Sequence, residues 1–406
     1  MIKRQFPTST VEIDLRALRN NYQVLADSIA TLPDVTHKEK SGLGAQDSQD
    51  AQDSHDAQDS HDAQDSHDAK DSQSTPRHRK IMAIIKRDAY GHGMRRIAKA
   101  LEDWVDMIGL ATVDEGIDLR MAGVRKPILI LAAPNEQTAA AYVTHNLIAT
   151  ISDEVHFSML MDGTRYHLEF DTGMRRLGFR PEEAVRVRQQ AMIHRRLVCA
   201  GIFSHYATSQ DPGSSLVAEQ NRAFQQVLTH FPEVSLRHMS NSGGILFYGG
   251  HIEHFSMIRT GIGLMGYGAG HTQPGGLHPV KLWRSRIVQT QEVRAGESVS
   301  YGATWRAERD GFIAVVPVGY ADGIPRALSN RLEVAIHGRR YPIAGVVTMD
   351  YIMIDLGEER IMPRTEVTIL GGEAMDARDW AELAGSNIHE ILTNAGREAE
   401  RIYLHE

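Results

Sequence analysis

Cysteine is almost absent from this sequence. Cys199 is the only one, which excludes an intrachain disulfide framework and any cysteine-clustered metal site. Long apolar runs are missing too. No stretch approaches the roughly 18 consecutive apolar residues that a membrane-spanning helix needs. Met1-Ile-Lys-Arg-Gln-Phe-Pro7 leads into polar residues rather than into the apolar core of a secretory signal, so a cytoplasmic location is the expectation. A charge bias with functional meaning is also lacking. The formal charge is −8, but Ala45–Ser72 carries nine Asp against the single Lys70, and this stretch accounts for all of it. The rest of the chain is neutral overall, and neither nucleic acid nor a membrane surface is expected as a partner.

What is present fits an ordinary globular chain. Its 406 residues, 42% of them hydrophobic and 24% charged, leave room for two domains and a large core. Thr8–Ile13 alternates as a short strand does, and Asp14 is a good helix N-cap. Leu15, Leu18, Tyr22, Leu25 and Ile29 then recur at helical spacing until Pro33. Residues 36–76 differ in kind. The hexapeptide Ala-Gln-Asp-Ser-His-Asp begins at Ala51, Ala57 and Ala63, with alanine as its only apolar residue. Such a segment cannot offset its ordering entropy by burial and is expected to be disordered. His55, His61 and His67 could bind a divalent metal weakly, but a solvated insertion is the reading adopted here, and no metal site is expected.

From Ile81 onwards strand-like and helix-like stretches alternate. Strands are expected at Ile81–Lys86, Met107–Thr112, Pro127–Ala132, Leu147–Ser152, Arg165–Phe170, Val198–Ser204, Leu236–Ser240 and Met257–Ile262. Helices such as Met94–Trp104, Pro181–Ile193 and Ser215–His230 fill gaps between them. Eight alternating units fit an α/β fold of the (β/α)8 TIM-barrel type. A doubly wound sheet is the competitor, but no Gly-x-Gly-x-x-Gly follows an early strand. Beyond residue 275 the segments become short and rich in branched residues: Val280–Val293, Gly311–Pro317, Leu332–Ile336, Arg340–Val347, Tyr351–Asp355 and Glu366–Ile369. A helix at Trp380–Leu392 and a strand at Arg401–Leu404 close the chain. The expected organisation is an N-terminal strand (1–11) packing with the C-terminal domain, a barrel (12–275) interrupted by the insertion, and a mostly-β domain (276–406).

Residues with chemistry cluster at the carboxyl ends of the barrel strands, the face where active sites of this fold lie. Lys86 follows the first strand, in Ile81-Met-Ala-Ile-Ile-Lys-Arg-Asp-Ala-Tyr-Gly-His-Gly93. A lysine delivered there is a Schiff-base former, because burial makes the neutral, nucleophilic amine accessible; alone, it could equally be a solvated lysine at a strand end. Asp171–Gly178 follows the fifth strand, His205–Thr208 the sixth and Asn241-Ser242 the seventh, while Arg259–Ile262 ends the eighth. Each has a bland reading by itself, but five on one face do not.

These segments resemble the alanine racemase family. The resemblance is carried by Lys86–Gly93, His167-Leu-Glu-Phe-Asp-Thr-Gly-Met-Arg-Arg-Leu-Gly178, Phe203-Ser-His-Tyr-Ala-Thr208, Asn241-Ser242 and Ile258–Ile262. In the β region it is carried by Val299-Ser-Tyr-Gly-Ala-Thr-Trp305, Val318-Gly-Tyr-Ala-Asp-Gly323 and Thr348-Met-Asp350. It implies a homodimeric enzyme that binds pyridoxal 5'-phosphate and interconverts L- and D-alanine, supplying D-alanine for peptidoglycan. Lys86 would form the internal aldimine and act as one acid/base. Tyr301, from the partner's β domain, would be the other. Tyr90, Ser242 and the N–H groups of Gly261 and Ile262 would hold the phosphate, with Asn241 beside them. Arg259 would contact the pyridine nitrogen, and His205 would lie between it and Tyr301. Arg176 would reach the cofactor's phenolic oxygen and the substrate carboxylate, which the N–H of Met349 would also bind. Tyr320 and Arg326 match residues on the substrate's way in.

The chemistry is coherent with those residue types. Racemisation removes a proton from one side of a planar carbon and returns one on the other, so two acid/base groups are needed. A guanidinium cannot accept a proton, so Arg259 would weaken the cofactor as an electron sink and suppress transamination and decarboxylation. Three positions depart from the family pattern. Glu169 stands where a carbamylated lysine is common, with a shorter reach towards Arg176 that a water would have to bridge. Arg397 aligns with a phosphate-contacting tyrosine and would serve either as a phosphate contact or in an ion pair. Arg87 replaces the usual alanine and is expected to point away from Lys86, since successive strand residues alternate faces. A serine, lysine or arginine racemase on the same scaffold is the alternative activity, and a non-catalytic cofactor-binding protein the alternative class; Tyr301 in its motif argues against the latter. Because closure entropy grows slowly with loop length, deleting Gly44–Ser74 is expected to leave turnover, cofactor affinity and dimerisation nearly unchanged. Limited proteolysis is expected to cut there first, and a loss of activity on deletion would show the insertion to be a folded part of the molecule.

Overall fold

The computed structural model describes residues 8–30, 79–249, 255–268 and 275–406, and the insertion expected at 36–76 lies outside the described residues. The chain opens with β1 (Ser9–Asp14) and a helix, Leu15–Ala30. Eight strands then form a closed parallel barrel: β2 (Lys80–Ile84), β3 (Met107–Leu110), β4 (Ile128–Ile130), β5 (Ile148–Ile151), β6 (Arg165–Glu169), β7 (Val198–Phe203), β8 (Arg237–His238) and β9 (Met257–Thr260). Closure is made by β2 pairing with β9, Ile81 opposite Ile258 and Met82 opposite Arg259. Continuous apolar runs such as Ile81–Ile84 and Ile128–Ile130 are buried throughout, as strands covered on both faces must be.

The C-terminal region is mostly β: β10 (Lys281–Arg286), β11 (Gln289–Val293), β12 (Ser298–Val299), β13 (Trp305–Arg306), β14 (Gly311–Val316), β15 (Glu333–Ile336), β16 (Arg339–Pro342), β17 (Ile352–Gly357), β18 (Glu366–Leu370) and β19 (Glu400–Leu404). One sheet runs β16-β15-β18-β10-β1-β19 and a second runs β11-β14-β17. The N-terminal β1 is thus an interior strand of the larger sheet, antiparallel to β10 and parallel to the edge strand β19.

Three expectations need correction. The stretch Val280–Val293 is two strands, because the chain leaves the large sheet after Arg286 and enters the second sheet at Gln289, where β11 pairs with β14. The expected helix Trp380–Leu392 is also two, Ala377–Ala384 and Ile388–Asn394. Gly385 ends the first in the left-handed region, and the Asn387 side chain caps the second by accepting from the N–H of Glu390 at 3.0 Å. The first barrel strand stops at Ile84, so Lys86 lies beyond the sheet.

Trp283 joins these layers. It is fully buried, lies 6.2 Å from the Trp380 ring, and shares with Val11 the space that a side chain at Gly396 would need. Trp283→Ala is expected to cost about 3–5 kcal/mol, read as a fall in the denaturant midpoint.

Candidate active site

The turn after β2 has an unusual backbone. Arg87, Asp88, Ala89 and Tyr90 all adopt left-handed helical angles, with φ of 53, 55, 53 and 52°. L-residues adopt this conformation at roughly 1–2 kcal/mol each, so surrounding contacts must hold it. The N–H of Ala89 donates to Ile85 O at 2.9 Å and that of Gly93 to Asp88 O at 2.9 Å. His92 Nδ1–H is shared by the carbonyls of Ala89 and Tyr90, each at 2.9 Å. The N–H of Arg87 donates to Glu115 Oε1 at 2.6 Å, while Glu115 also closes a capping box with Thr112. Sequence reasoning missed Glu115, although Thr112-x-x-Glu115 is the signature of such a box. Arg87 is exposed, but strand alternation is not the reason: it lies in the left-handed turn, outside β2.

Lys86 opens this turn and Tyr90 closes it. Lys86 is held below the ordinary lysine range, first by burial and then by the charge of Arg176, with Arg87 and Arg259 adding to the effect and Glu115 opposing it. Tyr90 is buried, and burial drives its phenol upwards, keeping it protonated. Its Oη lies against Gly261, where a Cβ would sit 2.3 Å away, so only glycine fits. Beside it, Ser242 Oγ accepts from the N–H groups of Gly261 at 3.2 Å and Gly263 at 3.3 Å. The Ile262 N–H has no acceptor among the described residues. Asn241 Oδ1 caps the helix Ser242–Phe247 by accepting from Gly244 N–H at 3.0 Å and also accepts from Ser209 Oγ at 2.6 Å.

Arg259 is buried at the centre. Its Nη1 donates to His238 Nδ1 at 2.8 Å and His238 O at 3.2 Å. Its Nη2 faces Ser204 O at 2.8 Å, His205 Nδ1 at 2.9 Å and Met239 O at 3.0 Å. Nε–H has no acceptor among the described residues. Because guanidinium only donates, Nδ1 of His205 and of His238 must be unprotonated, and their protons lie on Nε2. His238 Nε2–H then donates to His167 Nδ1 at 2.9 Å. Burial, and after it the Arg259 charge, hold His205 and His238 well below the usual histidine range, so both are neutral. Burial pushes Arg259 itself down to about 10, which leaves it charged at neutral pH.

Glu169 is buried at the end of β6, and its Oε2 has no partner among the described residues. Burial raises its carboxyl to about 7, against the pull first of Arg259 and then of Arg176. Its leading cation is therefore Arg259 rather than the expected Arg176. The exposed Arg176 acts electrostatically on Lys86, His205, Glu169 and Arg259 alike.

The remaining residues of interest lie on the β domain. Tyr301 sits in the β12–β13 connection and is 73% exposed; Met349 and Tyr320 are 53% and 40% exposed. They share one framework: Ser300 Oγ donates to Val346 O at 2.7 Å, and the N–H groups of Tyr320 and Ala321 donate to the carbonyls of Thr348 and Met349 at 3.0 Å. Arg326 is exposed nearby. Arg397 Nε donates to Ala321 O at 2.9 Å and so braces the Tyr320 turn.

Residues 67–269 match the family model "Alanine racemase, N-terminal domain", and residues 280–403 match "Alanine racemase, C-terminal domain". The alanine racemase of Symbiobacterium thermophilum is 35% identical over 346 residues, covering 80% of this chain and 90% of that protein. That of Carboxydothermus hydrogenoformans is 35% identical over 347 residues, covering 81% and 94%. Among solved structures, alanine racemase from E. faecalis superimposes with a TM-score of 0.82 at 26% identity, covering 99% of this chain and 100% of that one. Alanine racemase from Bartonella henselae, solved with covalently bound pyridoxal phosphate, gives a TM-score of 0.79 at 24% identity, covering 98% and 99%.

Glu169 generates a pH prediction. Its folded pKa of about 7 lies above the ordinary glutamate value of about 4.3. In that window the native state binds the extra proton, so stability is full below the lower value and declines as pH rises through the upper one. Glu169→Gln is expected to flatten this slope in denaturant unfolding measured from about pH 4 to 8. An unchanged slope would mean that Glu169 titrates as an ordinary surface carboxylate.

Proposed function

The chain belongs to the alanine racemase family, and on that premise we propose how its residues divide the interconversion of L- and D-alanine. Pyridoxal phosphate, when bound, supplies the electron sink that makes an amino acid's α-proton removable. The residues suit that group. Arg259 commits Nη1 and Nη2 to protein acceptors and keeps only Nε–H for a ring-nitrogen acceptor, and this is the observation on which the reading chiefly rests. Being charged at any working pH, it holds its proton and cannot accept another. Ser242, Tyr90 and the N–H groups of Gly261 and Ile262 would hold the phosphate, while Asn241 contributes by fixing the helix that presents Ser242. Lys86 would carry the cofactor covalently.

Lys86 Nζ, held below the ordinary lysine range by burial and neighbouring cations, is the proposed acid/base on one side. Tyr301 of the partner subunit is the proposed group on the other, with the His205 ring between it and Arg259, Nδ1 accepting from Arg259 and Nε2–H left for the Tyr301 side. Arg176 and the N–H of Met349 would bind the substrate carboxylate, and Tyr320 and Arg326 would line the way in. Exposure supports the proposed dimer. Tyr301, Met349, Tyr320 and the 45%-exposed Tyr351 are large side chains exposed on the β domain, and a second copy's barrel mouth would cover them. In this reading residues 12–275 form the cofactor-binding domain and 276–406 the β domain that reaches across. No helix among the described residues is long and apolar enough to cross a membrane, and the proposed site of action is the cytoplasm.

Lys86→Ala is expected to lose the covalently held cofactor, read by mass spectrometry after borohydride reduction, together with all racemisation. Tyr301→Phe is expected to keep the cofactor bound, to lose most racemisation, and to slow α-proton exchange with solvent from one enantiomer far more than from the other. Equal, small losses in both directions would remove Tyr301 from the chemistry. Racemisation rates across a panel of L-amino acids are expected to be highest for alanine; comparable rates for serine, lysine or arginine would favour the broader activity.

A further inference from the structure

We propose that the C-terminal strand β19 is a latch on the left-handed turn between Lys86 and Tyr90, and that Arg401 is its positioning residue. Parallel and antiparallel pairing place Ile13 beside both Lys281 and Tyr403, and Val11 beside both Trp283 and Arg401. Residues paired in register or two apart share a face, so Lys281, Arg401 and Tyr403 all lie on the same side of the sheet.

Their polar atoms meet the turn at successive residues. Arg401 Nη2 pairs with Asp88 Oδ2 at 2.9 Å, and Arg401 Nε donates to Gly91 O at 3.3 Å. The other Asp88 oxygen accepts the N–H of Met94 at 2.8 Å, so one carboxylate ties the turn both to the following helix and to β19. Tyr403 Oη donates to His92 O at 3.2 Å. It occupies the place of a side chain at Gly93, where a Cβ would lie 1.7 Å from the hydroxyl. Lys281 Nζ donates to Leu392 O at 2.6 Å and Ala395 O at 3.3 Å, and lies 3.1 Å from where a Cβ on Gly91 would be.

The turn needs such support. Four consecutive L-residues in the left-handed region relax towards right-handed or extended backbone unless held. Relaxation would displace Lys86 and Tyr90 together, since they bound the turn. Among the described residues no hydrogen bond or ion pair joins Arg401 or Tyr403 to Lys86 or Tyr90; their bonds go to Asp88, Gly91 and His92 between and beyond them. Their effect is therefore on how well the turn is formed before anything binds.

The proposal rests on Lys86 as the cofactor-carrying residue, and its test separates the two ideas. Cofactor dissociation constants are measured by equilibrium dialysis, alongside apoenzyme unfolding midpoints, for Arg401→Met, Asp88→Asn, the double variant and Arg401→Lys. Each of the two single variants is expected to weaken cofactor binding roughly tenfold, and the double variant no further than either. Arg401→Lys is expected to recover part of the loss, because an ammonium can pair with Asp88 but cannot reach Gly91 O in the same fork. Additive losses, or lowered unfolding midpoints with unchanged cofactor affinity, would overturn the latch. If Arg401→Met does not fold, the comparison of Arg401→Lys with Asp88→Asn decides, and equal wild-type affinity in both would overturn it. Loss of covalent attachment in Lys86→Ala is independent of all these outcomes.

Discussion

The site depends on one buried cation. Arg259 lies at the centre of the barrel mouth with Nη1 and Nη2 directed to two histidines and three carbonyls. From that follow the tautomers of His205 and His238, their neutrality, and the hydrogen bond from His238 to His167. The same charge, after burial and Arg176, helps hold Lys86 below the ordinary lysine range, and it is the main attraction opposing protonation of Glu169. A lysine in that position would lack the fork that fixes two imidazoles at once.

Burial on both faces made the barrel legible: each of the eight expected strands overlaps an observed one, β2 beginning one residue before its expected start, because strands covered on both sides read as continuous apolar runs. The site face was legible for a related reason, since residues that end successive barrel strands must converge. The left-handed turn was not. Arg, Ala and Tyr have no intrinsic preference for that region, and three of the side chains that bond to the turn and its exit, Glu115, Arg401 and Tyr403, are distant in sequence. Nor could sequence show that Asn241 commits its side chain to a helix cap, or that Arg397 braces the Tyr320 turn rather than pairing with an acid. The β12–β13 hairpin escaped notice because each of its strands is two residues long.

The two halves of the proposed chemistry lie in different environments. Lys86 is half-buried beyond the end of β2, whereas Tyr301 stands out on a β-domain surface with Met349 and Tyr320. A single subunit therefore offers a half-buried amine and an exposed phenol. A second copy would bring the two into one water-poor space, where electrostatic interactions are stronger than in bulk solvent. Within each subunit β19 joins the β domain to the barrel, through Arg401 on Asp88 and Tyr403 on His92.

Mixing subunits tests this division most directly. Lys86→Ala and Tyr301→Phe chains, each nearly inactive alone, are unfolded together and refolded with cofactor in equal amounts. If each site takes Lys86 from one chain and Tyr301 from the other, half of the dimers are mixed, and each mixed dimer carries one intact site. Activity should then return to about a quarter of the wild-type value, as two-fold symmetry requires. Recovery of no activity from well-folded mixed dimers would contradict a site shared between subunits.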